Sequence, residues 1–158
     1  MRMSLGVIYE RRTGMYKTYF EDTAADLVQR LSYAELVVGF NQKRFDYTVL
    51  RAYTGHGFDD LSSLDILEEI YNRLGFRLGL GALGLATLGV PKTADGLAAL
   101  RWWKEGKIEE IEKYCRMDVE LTARLFDHVL EHGYLLYENK NRGTVRLPME
   151  LSLETVLG

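Results

Sequence analysis

The sequence is short of several features, and each shortage excludes a class of protein. It has one cysteine and two prolines in 158 residues. A single cysteine forms no internal disulfide, which argues against a small secreted domain held together by disulfides and favours the reducing cytoplasm. No apolar run approaches the roughly 20 residues that a membrane-spanning helix needs, and the first residues lack the apolar stretch of a secretion signal. We therefore expect a cytoplasmic protein with no membrane partner.

The net charge of the chain is also small. The formal net charge is −3 and the isoelectric point is about 5.7, so no overall positive field attracts nucleic acid. Such a balance argues against nucleic-acid binding only weakly, because local charge placement decides that question. Hydrophobic residues make up 47% and charged residues 27% of the chain, as in ordinary globular proteins. The length suits one domain over residues 1–158.

The apolar pattern predicts an α/β fold. Met3 to Tyr9 and Met15 to Phe20 have the alternation of an antiparallel hairpin, with a helix following as far as about Leu31. Leu36 to Phe40 is a continuous apolar run, which is typical of a strand buried on both faces beside a parallel neighbour. The remaining elements are expected to be the helices Leu64 to Leu74, Leu78 to Leu88, Gly96 to Lys104 and Ile108 to His132, and a hairpin of Tyr134 to Glu138 with Thr144 to Met149.

Two carboxylates occupy positions where the helical pattern predicts apolar contacts. Asp118 lies inside the apolar stripe of Ile108 to His132, with Tyr114 one turn earlier at its margin. Asp46 lies on the apolar stripe of a helix expected to begin near Lys43, just after a buried strand. Because an ionised carboxylate is costly on a buried face, a metal ion is one explanation. An ion pair of Asp118 with Arg44 or another basic side chain is the other.

Three further features have ordinary structural explanations beside functional ones. Gly79 to Gly84 matches the G-x-G-x-x-G pattern of dinucleotide sites, but no strand leads into it, which favours a helix with small residues at tight contacts. Trp102 and Trp103 are expected in the core or in a groove wall, with base stacking as the alternative. Basic and acidic residues alternate between residues 92 and 116, as on a solvated face, although Lys92, Lys104 and Lys107 are candidates to contact phosphates.

Two segments resemble motifs of a known family. Val38-Gly39-Phe40-Asn41 followed by Phe45-Asp46 resembles the second motif of the DEDD 3′–5′ exonucleases, which have the ribonuclease H-like fold. Tyr114-Cys115-Arg116-Met117-Asp118 resembles their third motif in its Y-x-x-x-D form, which defines the tyrosine subclass. The resemblance extends from about residue 3 to residue 148. It implies a mixed sheet flanked by helices.

The resemblance also implies a reaction, namely hydrolysis of phosphodiester bonds at a single-stranded 3′ end with two Mg²⁺ or Mn²⁺ ions. Asp46 and Asp118 would be metal ligands, and Tyr114 would orient the attacking water. Asn41 and Phe45 would line the groove that holds the strand next to its 3′ end. Oxygen ligands suit these hard cations.

One family feature is missing. The first motif, D-x-E on the usual first strand, supplies the other two carboxylates, and no D-x-E occurs before Asn41. We therefore expect an N-terminally truncated domain of impaired activity, with a catalytically inactive module that binds nucleic acid or protein as the alternative. The gap beside Leu36 to Phe40 is expected to be filled by an upstream segment, by Thr144 to Leu151, or by a strand of a second copy in a homodimer.

Overall fold

The computed structural model describes residues 3, 5–54, 58, 61–91, 96–152 and 154, without the side chains of residues 96 and 99. The strands are β1 (Leu5–Glu10), β2 (Met15–Phe20), β3 (Val37–Gly39), β4 (Ser63–Asp65), β5 (Tyr134–Asn139) and β6 (Gly143–Pro148). The helices are α1 (Ala24–Ser32), α2 (Tyr47–Leu50), α3 (Ile66–Leu74), α4 (Leu80–Leu88), α5 (Gly96–Lys104) and α6 (Ile108–His132). A π-helical turn, Gln42–Asp46, precedes α2. None of the helices in the described residues is long and apolar enough to cross a membrane.

The N-terminal hairpin is present as predicted. β1 and β2 pair antiparallel, and Gly6 lies opposite Tyr19 on the face that packs against α1. A Cβ at Gly6 would stand 3.1 Å from the Leu27 Cδ2 atom of α1, so the absent side chain lets the helix approach closely. The expected helix through Leu31 is confirmed as α1, which ends at Ser32.

The predicted buried strand is also present, with a parallel neighbour. β3 pairs with β4, placing Gly39 beside Asp65. We expected residues 64 and 65 to begin a helix, and this was wrong. Ser63 and Leu64 are extended and pair with Val37 and Val38, and the helix starts only at Ile66.

The two N-terminal sheets are separate. Each consists of two strands, and no hydrogen-bonded ladder joins β1 to β3 among the described residues. Both strands nevertheless pack against α6. The terminal hairpin does not close this gap, because β6 pairs with β5. The expectation that the segment after Thr144 lies beside β3 was therefore wrong.

The buried residues form two hydrophobic clusters. The larger cluster joins α3, α4 and the C-terminal half of α6 to the terminal hairpin, with Leu83, Leu125 and Leu135 fully buried. The smaller cluster joins β2, α1 and α2 through Tyr19, Leu27 and other residues.

The glycine-rich segment is a helix, as its leucines indicate. Residues 80 to 88 form α4, and Gly84 is buried against α6. A Cβ at Gly84 would stand 2.7 Å from the Leu121 Cδ1 atom, which is closer than real Cβ atoms come. This confirms the prediction that small residues here serve a tight helix contact.

A second close approach lies at the end of β3. A Cβ at Gly39 would stand 2.6 Å from the Gln42 Cδ atom, and Gln42 is only 4% exposed. Gln42 Nε2 donates a hydrogen bond of 2.8 Å to the Leu64 carbonyl, so its side chain has little freedom to move aside.

We predict that Gly39→Ala destabilises the protein by about 1 to 3 kcal/mol, the usual cost of overpacking a tight site. The measurement is the urea unfolding midpoint. Gly79→Ala is the control, because a Cβ at Gly79 meets no atom within 4 Å and the backbone there has φ −78°. Equal midpoints for the two variants would contradict the prediction.

Candidate active site

One buried carboxylate organises the polypeptide after β3. Asp65 is 2% exposed, and its Oδ1 atom accepts hydrogen bonds from the backbone N–H groups of Asn41 at 2.8 Å and Glu68 at 3.2 Å. Its Oδ2 atom accepts a third, from the Lys43 N–H at 3.3 Å. Asp65 therefore caps α3 and also holds the turn at residues 41–46 in place.

Two side chains of this turn attach it further. Gln42 is bonded to the Leu64 carbonyl, and Lys43 Nζ lies 2.9 Å from Glu68 Oε1. Asn41 has a left-handed backbone with φ 68°, which asparagine tolerates better than most residues. Together these contacts fix the backbone on which Phe45 and Asp46 stand.

Phe45 and Asp46 both have surface accessible to solvent. Phe45 is 51% exposed, an unusual setting for a phenylalanine within a well-tethered turn. Asp46 is exposed as well, so the prediction that it lies on a buried stripe was wrong. It ends the π-helical turn, in which the Tyr47 N–H donates to the Gln42 carbonyl five residues earlier, and the next residue, Tyr47, is buried.

Asp46 still lies close to other protein atoms. Desolvation, with a smaller contribution from the nearby Asp65, raises the pKa of its carboxyl to about 6. Asp118, half-buried on α6, behaves likewise, because desolvation raises its pKa to about 6. Among the described residues neither carboxylate forms an ion pair, so the alternative pairing of Asp118 with Arg44 is not found there.

Asp118 and Asp46 stand on segments that are connected through β3. α6, which carries Asp118, packs against β3, and β3 leads into the turn that carries Asp46. Cys115 is half-buried on α6, and burial raises the pKa of its thiol to about 11, with further contributions from the negative charges of Asp118 and Asp46.

Tyr114 lies beside this pair on α6. Its ring meets the Trp102 ring of α5 edge-on, with centroids 6.1 Å apart. One turn after Asp118, the Thr122 hydroxyl donates a hydrogen bond of 2.7 Å to the Asp118 carbonyl. Lys92, expected to contact phosphates, lies outside the described residues.

The donor set fits a divalent cation only in part. Asp46 and Asp118 offer oxygen ligands of the kind that Mg²⁺ and Mn²⁺ prefer, and a bound cation would offset the desolvation that raises their pKa values. Among the described residues, however, no group of three or more His, Cys, Asp and Glu side chains is placed to hold a metal. The pair therefore suits one ion better than the two that the family resemblance implies.

The sequence did not predict that Asp65 and Gln42 hold the turn at residues 41–46 in place. An aspartate at the start of a helix is a common cap, and Asp65 has that role at α3. Its bonds to Asn41 and Lys43 could not be predicted, because they join segments that are distant in the chain.

The comparison with protein families agrees with this architecture. The model of the family RNase_H_2, described as RNase_H superfamily, matches residues 3–130. The chain therefore belongs to the ribonuclease H superfamily, and its mixed α/β structure is that of a ribonuclease H-like fold. Membership indicates nuclease-type hydrolysis of nucleic acid. Searches of curated proteins and of solved structures gave no match.

We predict that Asp118→Asn stabilises the metal-free protein at pH 7 by about 1 to 2 kcal/mol, after allowance for partial solvent exposure. The folded-state pKa of about 6 exceeds the unfolded value near 4, so ionisation of this carboxyl destabilises the folded protein. The penalty grows as the pH rises from about 4 to about 6 and keeps its full value above 6. The asparagine removes that penalty.

The measurement is thermal unfolding in EDTA at pH 4 and pH 7. The advantage of Asp118→Asn over the parent should be present at pH 7 and shrink at pH 4. The exposed Asp22→Asn serves as the control and should show no such pH-dependent gain. A destabilised Asp118→Asn at pH 7 would overturn the argument from burial.

Proposed function

We propose that this chain is a metal-dependent 3′–5′ exonuclease of the tyrosine subclass of DEDD nucleases, acting on single-stranded nucleic acid. The observation that carries the proposal is the packing of α6, which bears Tyr114 and Asp118, against β3, which leads into the turn bearing Asp46, in a chain that matches the ribonuclease H superfamily over residues 3–130. It supports a common ligand site between the turn after β3 and α6. Tyr114 precedes Asp118 by four residues, as the Y-x-x-x-D motif requires.

Each residue then has a role that the family resemblance implies. Asp46 and Asp118 would hold a divalent ion, Mg²⁺ or Mn²⁺, through carboxylate oxygens. A bound ion would supply activation of water and stabilisation of the leaving oxygen. Tyr114 orients the attacking water with its hydroxyl. Phe45, exposed on a rigid turn, packs against the terminal nucleotide, and Asn41 lines the same groove.

We expect the activity to be slow. Two carboxylates bind two divalent ions poorly. The family that the motifs resemble uses four carboxylates to hold the two ions. Among the described residues no group of three or more His, Cys, Asp and Glu side chains is placed to hold a metal. This favours a second candidate, a catalytically inactive module that binds nucleic acid or a protein with the same surface. Binding without cleavage distinguishes this candidate from the first.

We predict that the protein shortens a 5′-labelled single strand of DNA or RNA from its 3′ end in Mn²⁺, and that Asp118→Asn lowers the rate by at least about 100-fold, as expected when a metal ligand is lost. Gel electrophoresis of the labelled products measures the rate. Asp22→Asn is the matched control and should keep the parent rate. Undiminished cleavage by Asp118→Asn would remove Asp118 from the mechanism.

We also propose that the open strand edges support a homodimer. β1 and β3 each have one edge without a ladder partner among the described residues, and the apolar β3 is only half-buried. Unpaired backbone groups on an apolar strand favour pairing with a strand from a second copy.

We predict a dimer at tens of micromolar protein, measured as molar mass by light scattering coupled to size exclusion. Hydrogen exchange at β1 and β3 should slow as the concentration rises, because the new ladder protects their amides. A constant monomer mass, with hydrogen exchange that does not depend on concentration, would exclude strand pairing between copies.

A further inference from the structure

Helix α5 presents a face of mixed apolar and basic side chains to solvent. Leu97, Leu100 and Trp103 are 76%, 51% and 49% exposed. At 100° per residue these three side chains share one side of the helix with Arg101 and Lys104, which are also exposed. We call these five residues the α5 face. Scattered exposed leucines are ordinary, but an apolar row of this kind on one helix is an unusual surface.

The charge on this face has one sign. Both of its charged residues, Arg101 and Lys104, are basic, and neither forms an ion pair within the part of the chain that the structure describes. By contrast, the neighbouring Lys107 lies 3.0 Å from Glu105. Two cationic side chains beside an exposed indole are complementary to nucleic acid, whose phosphates are anionic and whose bases are flat aromatic rings.

The face is continuous with the candidate active site. Trp102, next to Trp103, is half-buried and turns the other way, where its ring meets that of Tyr114. The same helix therefore places one indole against the site and the next indole on the surface leading away from it. A strand with its 3′ end at Tyr114 has this surface within reach of its preceding nucleotides.

We propose that the α5 face is a stacking site for single-stranded nucleic acid, in which Trp103 packs against a base and Arg101 and Lys104 contact phosphates upstream of the 3′ end. The proposal rests on the proposed function, because it takes the strand that the site would cut. Stacking on an indole tolerates every base, so the site binds without sequence preference. Trp102 acts as a positioning residue for Tyr114.

The test measures affinity separately from cleavage. A fluorescein-labelled oligodeoxythymidylate and an oligouridylate are titrated in EDTA, and anisotropy gives the dissociation constants. Trp103→Ala should weaken binding by about 5- to 100-fold, the range for loss of one stacked base. Tyr33→Ala is the matched control, since Tyr33 is 72% exposed at the end of α1 and should leave affinity unchanged. Arg101→Gln with Lys104→Gln should reduce the salt dependence of binding.

A second measurement guards against a variant that fails to fold. In Trp102→Phe the remaining tryptophan is Trp103, and its fluorescence should be quenched as oligonucleotide is added. Quenching together with weakened binding by Trp103→Ala supports the proposal. Oligonucleotide binding by the parent with neither effect overturns it and leaves the exonuclease assignment standing. Absence of binding by every variant overturns both. Self-association that Trp103→Ala abolishes, with unchanged oligonucleotide affinity, would assign the face to a second copy instead.

Discussion

The carboxylate of Asp65 holds the candidate site together. It accepts three backbone hydrogen bonds, two from the turn after β3 and one from the start of α3. Bonds to a charged acceptor are stronger than neutral ones, and a buried carboxylate without donors would be costly. The turn therefore has one favourable position. The exposed Phe45 and Asp46 gain their placement from a neighbour that touches no substrate.

Helix α6 is the second constraint. It spans the gap between the two small sheets, contacting β1 along one side and β3 along another, and its C-terminal half enters the larger core. Asp118 and Tyr114 stand in its N-terminal half, so the candidate site lies where the helix leaves that core. A helix anchored at one end can present polar side chains at the other, since the buried part provides the stability.

The elements that the sequence predicts well are those with a strong local pattern. The periodicity of α6, the alternation of the two hairpins and the apolar run before Asn41 all lead to the observed structure. β4 was missed because it has three residues and its serine resembles a helix cap. The burial of Asp46 was overestimated because the helical wheel assumed a regular α-helix from Lys43, whereas residues 42–46 form a π-helical turn. The contacts of Asp65 join distant segments, which no local pattern reveals.

The motif residues illustrate the same division at the level of the site. Asp46, Tyr114 and Asp118 were chosen from spacing and resemblance, and they stand on α6 and on the turn after β3, the strand against which α6 packs. Gln42, which supports the turn, gave no signal, because a buried glutamine bonded to a carbonyl cannot be distinguished in sequence from an exposed one. Side chains that act on other side chains remain visible only in three dimensions.

The contacts that attach the N-terminal hairpin to α6 differ from those in either core. The Arg116 guanidinium lies over the Tyr16 ring at 4.3 Å, Arg11 Nη2 pairs with Asp127 Oδ1 at 2.9 Å, and the Arg11 guanidinium lies 5.6 Å from the centre of the Phe126 ring. Such exposed cationic contacts are individually weak and are screened by ions. Dissolved ions therefore weaken these three contacts between the hairpin and α6 more than they weaken the apolar packing of either cluster.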